Sequence, residues 1–276
     1  MTKLFTRPRS MSDVPSPYCP GCTHGTAHRL VAEAVDELGL FEKVIGVVSP
    51  GCSVRSWRLY RFDMVLAAHG RPPAVATGIK RALPGKMVFS YQGDGDSCAI
   101  GLSELMHAAL RCEKITVFTI NNAVYGSTGG QAAPTTLIGQ VTPSYPLGRD
   151  PSHAGYPIKL AEVIADISKD SYVARVALNN VRNILRAKDA VIRAFKTQQE
   201  GLGFSFVEML SVCPTGWHMT PLDSLTWVDE AMIKQYPLGE FSMPHESKSD
   251  LGASEQRVEK LTVQAETVEE PTHTHG

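Results

Sequence analysis

The chain has 276 residues, 43% of them hydrophobic and 20% charged, which is the composition of a folded globular protein long enough for one large α/β domain or two smaller ones. Its 27 Lys+Arg against 28 Asp+Glu leave a net charge of −1, so composition gives no reason to expect nucleic acid or an anionic membrane as partner. No apolar run approaches the roughly 20 residues of a membrane-spanning helix, and the N-terminus lacks the apolar stretch of a secretory signal, so a cytoplasmic protein with six unpaired cysteines is expected.

Residues 1–18 read as a Pro- and Ser-containing arm. Cys19-Pro20-Gly21-Cys22 follows, and TAHRLVAEAVDEL (26–38) then carries apolar residues at helical spacing, with Gly39 placed to cap the helix. KVIGVVS (43–49), MVFSYQ (87–92), ITVFTI (115–120), YVARVAL (172–178) and FSFVEML (204–210) read as strands, with helical stretches at about 98–112, 158–168 and 180–199. Strand–helix alternation with near-continuous apolar strands predicts an α/β fold with a mainly parallel sheet and helices on both faces. In such sheets ligands bind at the C-terminal ends of the strands. The folded domain is expected over 19–240. From 241 to 276 the chain holds seven acidic and three basic residues, a net charge of −4, with few large apolar side chains, and it reads as a flexible acidic tail.

The strand at 87–92 runs into Gly93-Asp94-Gly95-Asp96, and the strand at 115–120 runs into Asn121-Asn122, so one βαβ unit brings Asp94 and Asn122 to the same edge. The glycines admit a ligand close to the backbone, and a helix N-terminus there favours an anion. Asp94 and Asn122 are hard oxygen donors suited to a Mg²⁺ ion that also holds two phosphate oxygens.

The cysteines admit several readings. Cys19 and Cys22, with His24 and His28 nearby, suit zinc, and a thioredoxin-like dithiol is a further possibility. Cys52, in SPGCSVR, and Cys213, in SVCPT, follow strands that end at the same edge as the GDG and NN loops. They could complete a four-cysteine set for a [4Fe–4S] cluster. Cys98 and Cys112 read as core residues of a helix.

The GDG…NN pair resembles the thiamine diphosphate signature, and its continuation, Ala123 to Gln131 (AVYGSTGGQ), resembles the corresponding loop of 2-oxoacid:ferredoxin oxidoreductases. CPGCTHG, GCSVR and CPT resemble the cysteine segments of that family's β subunit, over roughly residues 15–240. The resemblance implies a thiamine diphosphate-binding fold, with Mg²⁺ held by Asp94, Asn122 and the Val124 carbonyl. The diphosphate would be cradled by Gly93, Gly95, Asp96, Gly126, Ser127 and Thr128. A [4Fe–4S] cluster would sit on Cys19, Cys22, Cys52 and Cys213, and His24 and Cys52 would border the cofactor. His69, in the HGR segment, and Arg55, three residues after Cys52, are the catalytic candidates, Arg55 as the partner of a substrate carboxylate. Pro50 departs from the family, which often has an apolar residue there.

The chemistry so implied is coenzyme A-dependent oxidative decarboxylation of a 2-oxoacid, with electrons leaving singly through the cluster. GWHMTP (216–221) resembles the branch acting on 2-oxoglutarate or branched-chain 2-oxoacids. The chain shows neither the glutamate that contacts the aminopyrimidine ring nor a two-cluster ferredoxin run. The resemblance therefore implies a pyrimidine-binding partner subunit, a ferredoxin-like subunit or ferredoxin, and a dimer of hetero-oligomers. Three rivals are a non-oxidative thiamine diphosphate decarboxylase or synthase, an electron-transfer module without the cofactor, and a zinc-binding structural subunit.

Overall fold

A computed structural model of the chain describes residues 6–168 and 170–244. The acidic segment from residue 245 onward lies outside the described residues.

The helices and strands follow in chain order. Helix α1 (His24–Glu37) leads to β1 (Val44–Val48), a 3₁₀ segment (Cys52–Arg58), β2 (Asp63–Leu66), α2 (Pro72–Ala82) and β3 (Met87–Gly93). Then come a wide turn (Asp96–Ile100), α3 (Leu102–Leu110), β4 (Thr116–Asn121) and the small pair β5 (Val124–Tyr125) and β6 (Gln131–Ala132). Short α4 (Pro151–Ala154), α5 (Leu160–Ile167), β7 (Tyr172–Ala177), α6 (Val181–Gln199) and β8 (Ser205–Leu210) complete the alternation. Short α7 (Pro214–Trp217), α8 (Pro221–Trp227), α9 (Ile233–Gln235) and β9 (Gly239–Ser242) close the described chain. Seven strands form one sheet in the order β2-β1-β3-β4-β8-β7-β9, parallel except for β9, which runs antiparallel to β7.

The expected α/β architecture is the one formed, and its cause is visible in the burial. β1, β4, β7 and β8 are buried at every position because helices cover both faces. On one face Ala27, Val31 and Val35 of α1 and Ala190, Ala194 and Phe195 of α6 pack on Phe89, Phe118 and Val207 of the sheet. On the other, Ala76 of α2, Leu105 and Ala109 of α3 and Ile164 of α5 meet Val88, Val117 and Phe206. A third cluster, with Val124, Leu137, Val212, Trp217, Val228 and Tyr236, underlies the C-terminal edge and supports its loops. Gly39 takes φ +65 after α1, where its N–H reaches the Asp36 carbonyl and the Leu40 N–H reaches Val35, so the predicted cap is a Schellman turn.

Among the elements that the pattern does not announce, three extend the sheet or cover it. β2 (DMVL) is short and partly exposed. α2 (PPAVATGIKRA) opens on two prolines and buries little beyond Pro72, Pro73, Ala76 and Thr77. β9 (GEFS) has no β-branched residue, and it carries the sheet past residue 240 into the segment expected to be tail. The helix expected at 98–112 is interrupted at Gly101, where a Cβ would stand 2.5 Å from the Gly70 carbonyl. Cys98 is a core residue, but Cys112 is not: α3 ends at Leu110, and Cys112 takes a left-handed φ of +48 and is exposed. The N-terminal arm, from its first described residues, lies on the body, with Ser10 N–H bonded to Asp36 and Met11 bridged to Tyr60. No helix among the described residues is long and apolar enough to cross a membrane.

Phe89 is fully buried and its ring meets those of Phe62, Phe118 and Phe195. Phe89→Ala is expected to cost about 3–5 kcal/mol, read as the shift in a chemical denaturation curve.

Candidate cofactor and cluster site

A cavity of about 180 Å³ opens at the C-terminal edge of the sheet. Loops after parallel strands deliver most of its walls. β1 contributes Pro50, Gly51, Cys52 and Ser53, and the loop after β2 contributes His69. β3 leads into Gly93, Asp94, Gly95 and Asp96, and β4 leads into Asn122, Val124, Tyr125, Gly126, Ser127 and Thr128. His24 enters from the start of α1. Every residue expected at the diphosphate, the divalent cation and the cofactor border therefore lines one cavity, together with His69.

Asp94 is buried, and no basic side chain is among its hydrogen-bond partners. The Gly95 N–H donates to Oδ1 at 2.8 Å and the Thr135 hydroxyl donates to Oδ2. Burial pushes its carboxyl up to about 7 despite those donors. An anion so placed, without a cationic neighbour, is what a divalent cation would compensate. Asn122 stands opposite on the β4 loop, its Oδ1 accepting the Val124 N–H at 3.4 Å and its carbonyl accepting the Trp217 indole N–H at 2.9 Å. Between them Ala123 takes φ +58, a conformation rare for a residue with a Cβ. Thr135 and Trp217 are contacts that spacing alone does not reveal, because they come from a loop and a short helix 41 and 95 residues away in the chain.

Asp96 has a different duty from Asp94. Its Oδ2 accepts from Ser49 Oγ and Gln92 Nε2, both at 2.7 Å. Its Oδ1 accepts the Gly70 N–H at 2.5 Å and lies against His69 Nδ1. Its carboxylate is committed to joining the loops after β1, β2 and β3, so it braces the cavity wall instead of being free to meet a ligand. Arg71 completes the HGR clip by donating to the Ile100 carbonyl at 3.0 Å and pairing with Glu104. Gly70, at φ +81, is required here, since a Cβ would stand 2.7 Å from the Ile100 backbone.

The four candidate ligand cysteines approach from three separate segments. An added Cβ on Gly126 would lie 2.9 Å from Cys213 Sγ and 4.0 Å from Cys52 Sγ, and one on Gly216 would lie 2.8 Å from Cys213 Sγ. Thr23 ties the first segment to the last: its hydroxyl meets Ser211 Oγ at 2.8 Å and accepts the Val212 N–H at 3.1 Å. Burial pushes the Cys22 thiol up to about 12 and the Cys213 thiol up to about 11, and repulsion among the cysteines adds to both. Cys52 is raised by burial, with Arg55 opposing. Thiols that raise one another in this way suit a shared cationic centre.

The zinc alternative fits poorly. His28 Nε2 meets the Tyr18 hydroxyl at 2.7 Å and its Nδ1 meets that of Tyr60 at 2.9 Å, while His24 Nδ1 meets Tyr91 at 2.8 Å. Among the described residues no three His, Cys, Asp or Glu side chains are gathered closely enough for a single metal ion. Arg55 does not line the cavity. It donates to the Pro17 carbonyl at 2.6 Å beside the cysteine loop, a position that gives no support to a pairing with substrate carboxylate.

Comparison with known proteins matches residues 50–209 to the family described as thiamine pyrophosphate enzyme, C-terminal TPP binding domain. That span includes Asp94, Asn122 and Cys52 but not Cys19, Cys22 or Cys213. The chain is 43% identical over 238 residues to ketoisovalerate oxidoreductase subunit VorA of Methanothermobacter thermautotrophicus, covering 86% of this chain and 50% of that protein. It is 37% identical over 217 residues to 2-oxoglutarate synthase subunit KorB of Archaeoglobus fulgidus, covering 79% and 77%. The chain thus spans about half the length of the ketoisovalerate oxidoreductase subunits it matches. In fold it matches a 2-oxoglutarate:ferredoxin oxidoreductase from Magnetococcus marinus, with a TM-score of 0.72 at 24% identity over 98% of this chain and 97% of that one.

Burial among tyrosines holds His28 neutral, its pKa well below the ordinary 6.5. The unfolded chain takes up that proton first, so the stability contribution present above pH 6.5 is lost as pH falls below it, by about 1.4 kcal/mol per unit. Denaturation midpoints at pH 7 and 5.5 should therefore differ less for His28→Gln than for the parent protein.

Proposed function

The chain belongs to the thiamine pyrophosphate enzymes, in the family of the VorA- and KorB-type subunits of 2-oxoacid:ferredoxin oxidoreductases, and on that premise we propose that it contributes the diphosphate- and cluster-binding half of a coenzyme A-dependent 2-oxoacid oxidoreductase. The observation that carries this reading is a single cavity in which the GDGD turn, the NN loop and the Cys52 loop face one another.

Asp94, Asn122 and the Val124 carbonyl would hold Mg²⁺, which compensates the buried Asp94 carboxylate. Gly93 and Gly95 would let the backbone approach the diphosphate, with Gly126, Ser127 and Thr128 on the facing wall. Cys19, Cys22, Cys52 and Cys213 would ligate the [4Fe–4S] cluster, and Gly126 and Gly216 keep space clear beside the Cys213 sulfur. Bound thiamine diphosphate would supply the electron sink for decarboxylation, and the cluster the route for single electrons. His69, braced by Asp96, is the proton-transferring candidate on the cavity wall. His24 is kept neutral, its pKa lowered by burial to about 3, and would act there as a neutral hydrogen-bonding group.

The substrate is a 2-oxoacid, and we favour a branched-chain one. The relatives at 43% and 44% identity carry the ketoisovalerate name, against 37% for the 2-oxoglutarate synthase subunit. A pyrimidine-binding partner would complete the cofactor site, and a ferredoxin-like subunit or ferredoxin would take the electrons, in a cytoplasmic dimer of hetero-oligomers. Exposed Val141, Leu147 and Tyr156, in the loops that follow Thr135, offer apolar contacts to such a partner.

Anaerobic metal and cofactor analysis of the purified complex is expected to give about four iron and four sulfide per copy of this chain, with thiamine diphosphate. Zinc in place of iron, or iron-free protein with the cofactor, would overturn the oxidoreductase reading. With coenzyme A and an electron acceptor, kcat/KM for 2-oxoisovalerate should exceed that for 2-oxoglutarate by at least about tenfold; the reverse order would overturn the branched-chain assignment.

A further inference from the structure

An ion pair is buried within the sheet, between β7 and β8, apart from the residues assigned above. Arg175 of β7 and Glu208 of β8 are register partners on adjacent strands, and both are fully buried. Burying such a pair commonly gives no more stability than apolar residues of the same volume would, so its presence asks for another reason. The hydrogen bonds supply one. Glu208 Oε2 accepts from Arg175 Nε at 2.8 Å, and Oε1 accepts from Asn121 Nδ2 at 2.7 Å. Asn121 Oδ1 in turn accepts the N–H of Ala123 at 3.1 Å, the residue at φ +58 between Asn122 and Val124. A second tie leaves the same cluster. The Arg175 guanidinium lies 5.4 Å from the centre of the Tyr236 ring, the Tyr236 hydroxyl donates to the Thr135 carbonyl at 2.5 Å, and the Thr135 hydroxyl donates to Asp94.

We propose that Glu208 is a positioning residue for the divalent cation: through Asn121 it holds the left-handed turn at Ala123, and so the spacing of Asn122 and Val124. The proposal rests on the reading that this loop and Asp94 bind the cation. It accounts for a carboxylate at this position. Only a carboxylate offers acceptors to Asn121 and Arg175 at once; a glutamine would set its NH₂ against one of those two donors. Arg175, which also donates to Glu162 at 2.9 Å, sets its guanidinium against Glu208 where both side chains are closed to water.

Mn²⁺ binding in the presence of thiamine diphosphate, followed by electron paramagnetic resonance on the protein purified with its partner subunits, tests this. The thermal midpoint of each variant without metal is measured in parallel. Glu208→Gln and Asn121→Ala should each weaken Mn²⁺ binding about tenfold or more while the protein remains folded. Asn121→Ala leaves the Arg175–Glu208 pair in place, so it decides the matter if Glu208→Gln does not fold. Asn121→Asp sets two carboxylates face to face and should weaken binding likewise. Asn121→Asp combined with Glu208→Gln restores a donor opposite an acceptor and should recover affinity to within about threefold of the parent. Parent-like Mn²⁺ affinity in Asn121→Ala, or a double variant no better than Asn121→Asp, would overturn the proposal. Absence of Mn²⁺ binding by the parent protein would instead overturn the cation reading beneath it.

Discussion

The candidate site depends on one carboxylate that need not touch a ligand. Asp96 accepts hydrogen bonds from Ser49, Gln92 and Gly70 and lies against His69. It thereby locks together the loops that leave three neighbouring parallel strands. A carboxylate removed from water must keep its donors, and these donors lie on loops that would otherwise move independently. The GDGD turn thus contains two aspartates with opposite duties. Asp96 is saturated by protein donors and holds the wall, while Asp94 is buried without a basic hydrogen-bond partner.

The same economy of backbone appears at the cysteines. Their segments meet because Thr23 bridges the start of α1 to the strand end before Cys213, and because Gly126 and Gly216 present no Cβ to the Cys213 sulfur. Trp217, just past Cys213, donates to the Asn122 carbonyl and so ties the last cysteine segment to the NN loop.

Much of this is legible in the sequence, and the limits are physical. The five central strands announce themselves because each is buried on both faces and is therefore mostly apolar. β2 and β9 do not, because edge strands are partly exposed and need no such run. In the site, Asp94 and Asn122 were readable because their spacing follows from one βαβ unit. Thr135, Trp217 and Tyr236 were not, since each reaches the site from a loop or helix whose path no local pattern specifies. Helical periodicity continues past Leu110 and so predicts a core position for Cys112, whereas the backbone turns left-handed just beyond Leu110 and exposes it.

By itself the sequence determined the fold class, the edge at which chemistry collects and the residue types brought to it, since these follow from alternation of elements and from motif spacing. Tertiary structure alone decided which groups are free to act. It spent both nitrogens of His28 on tyrosines, turned Arg55 toward Pro17 and committed Asp96 to the frame. It also joined Arg175 and Glu208 beneath the Asn121 turn. The reason is that a polar side chain removed from water takes whatever partner packing brings within about 3 Å, and that partner is set by how strands and loops distant in the chain come to lie side by side.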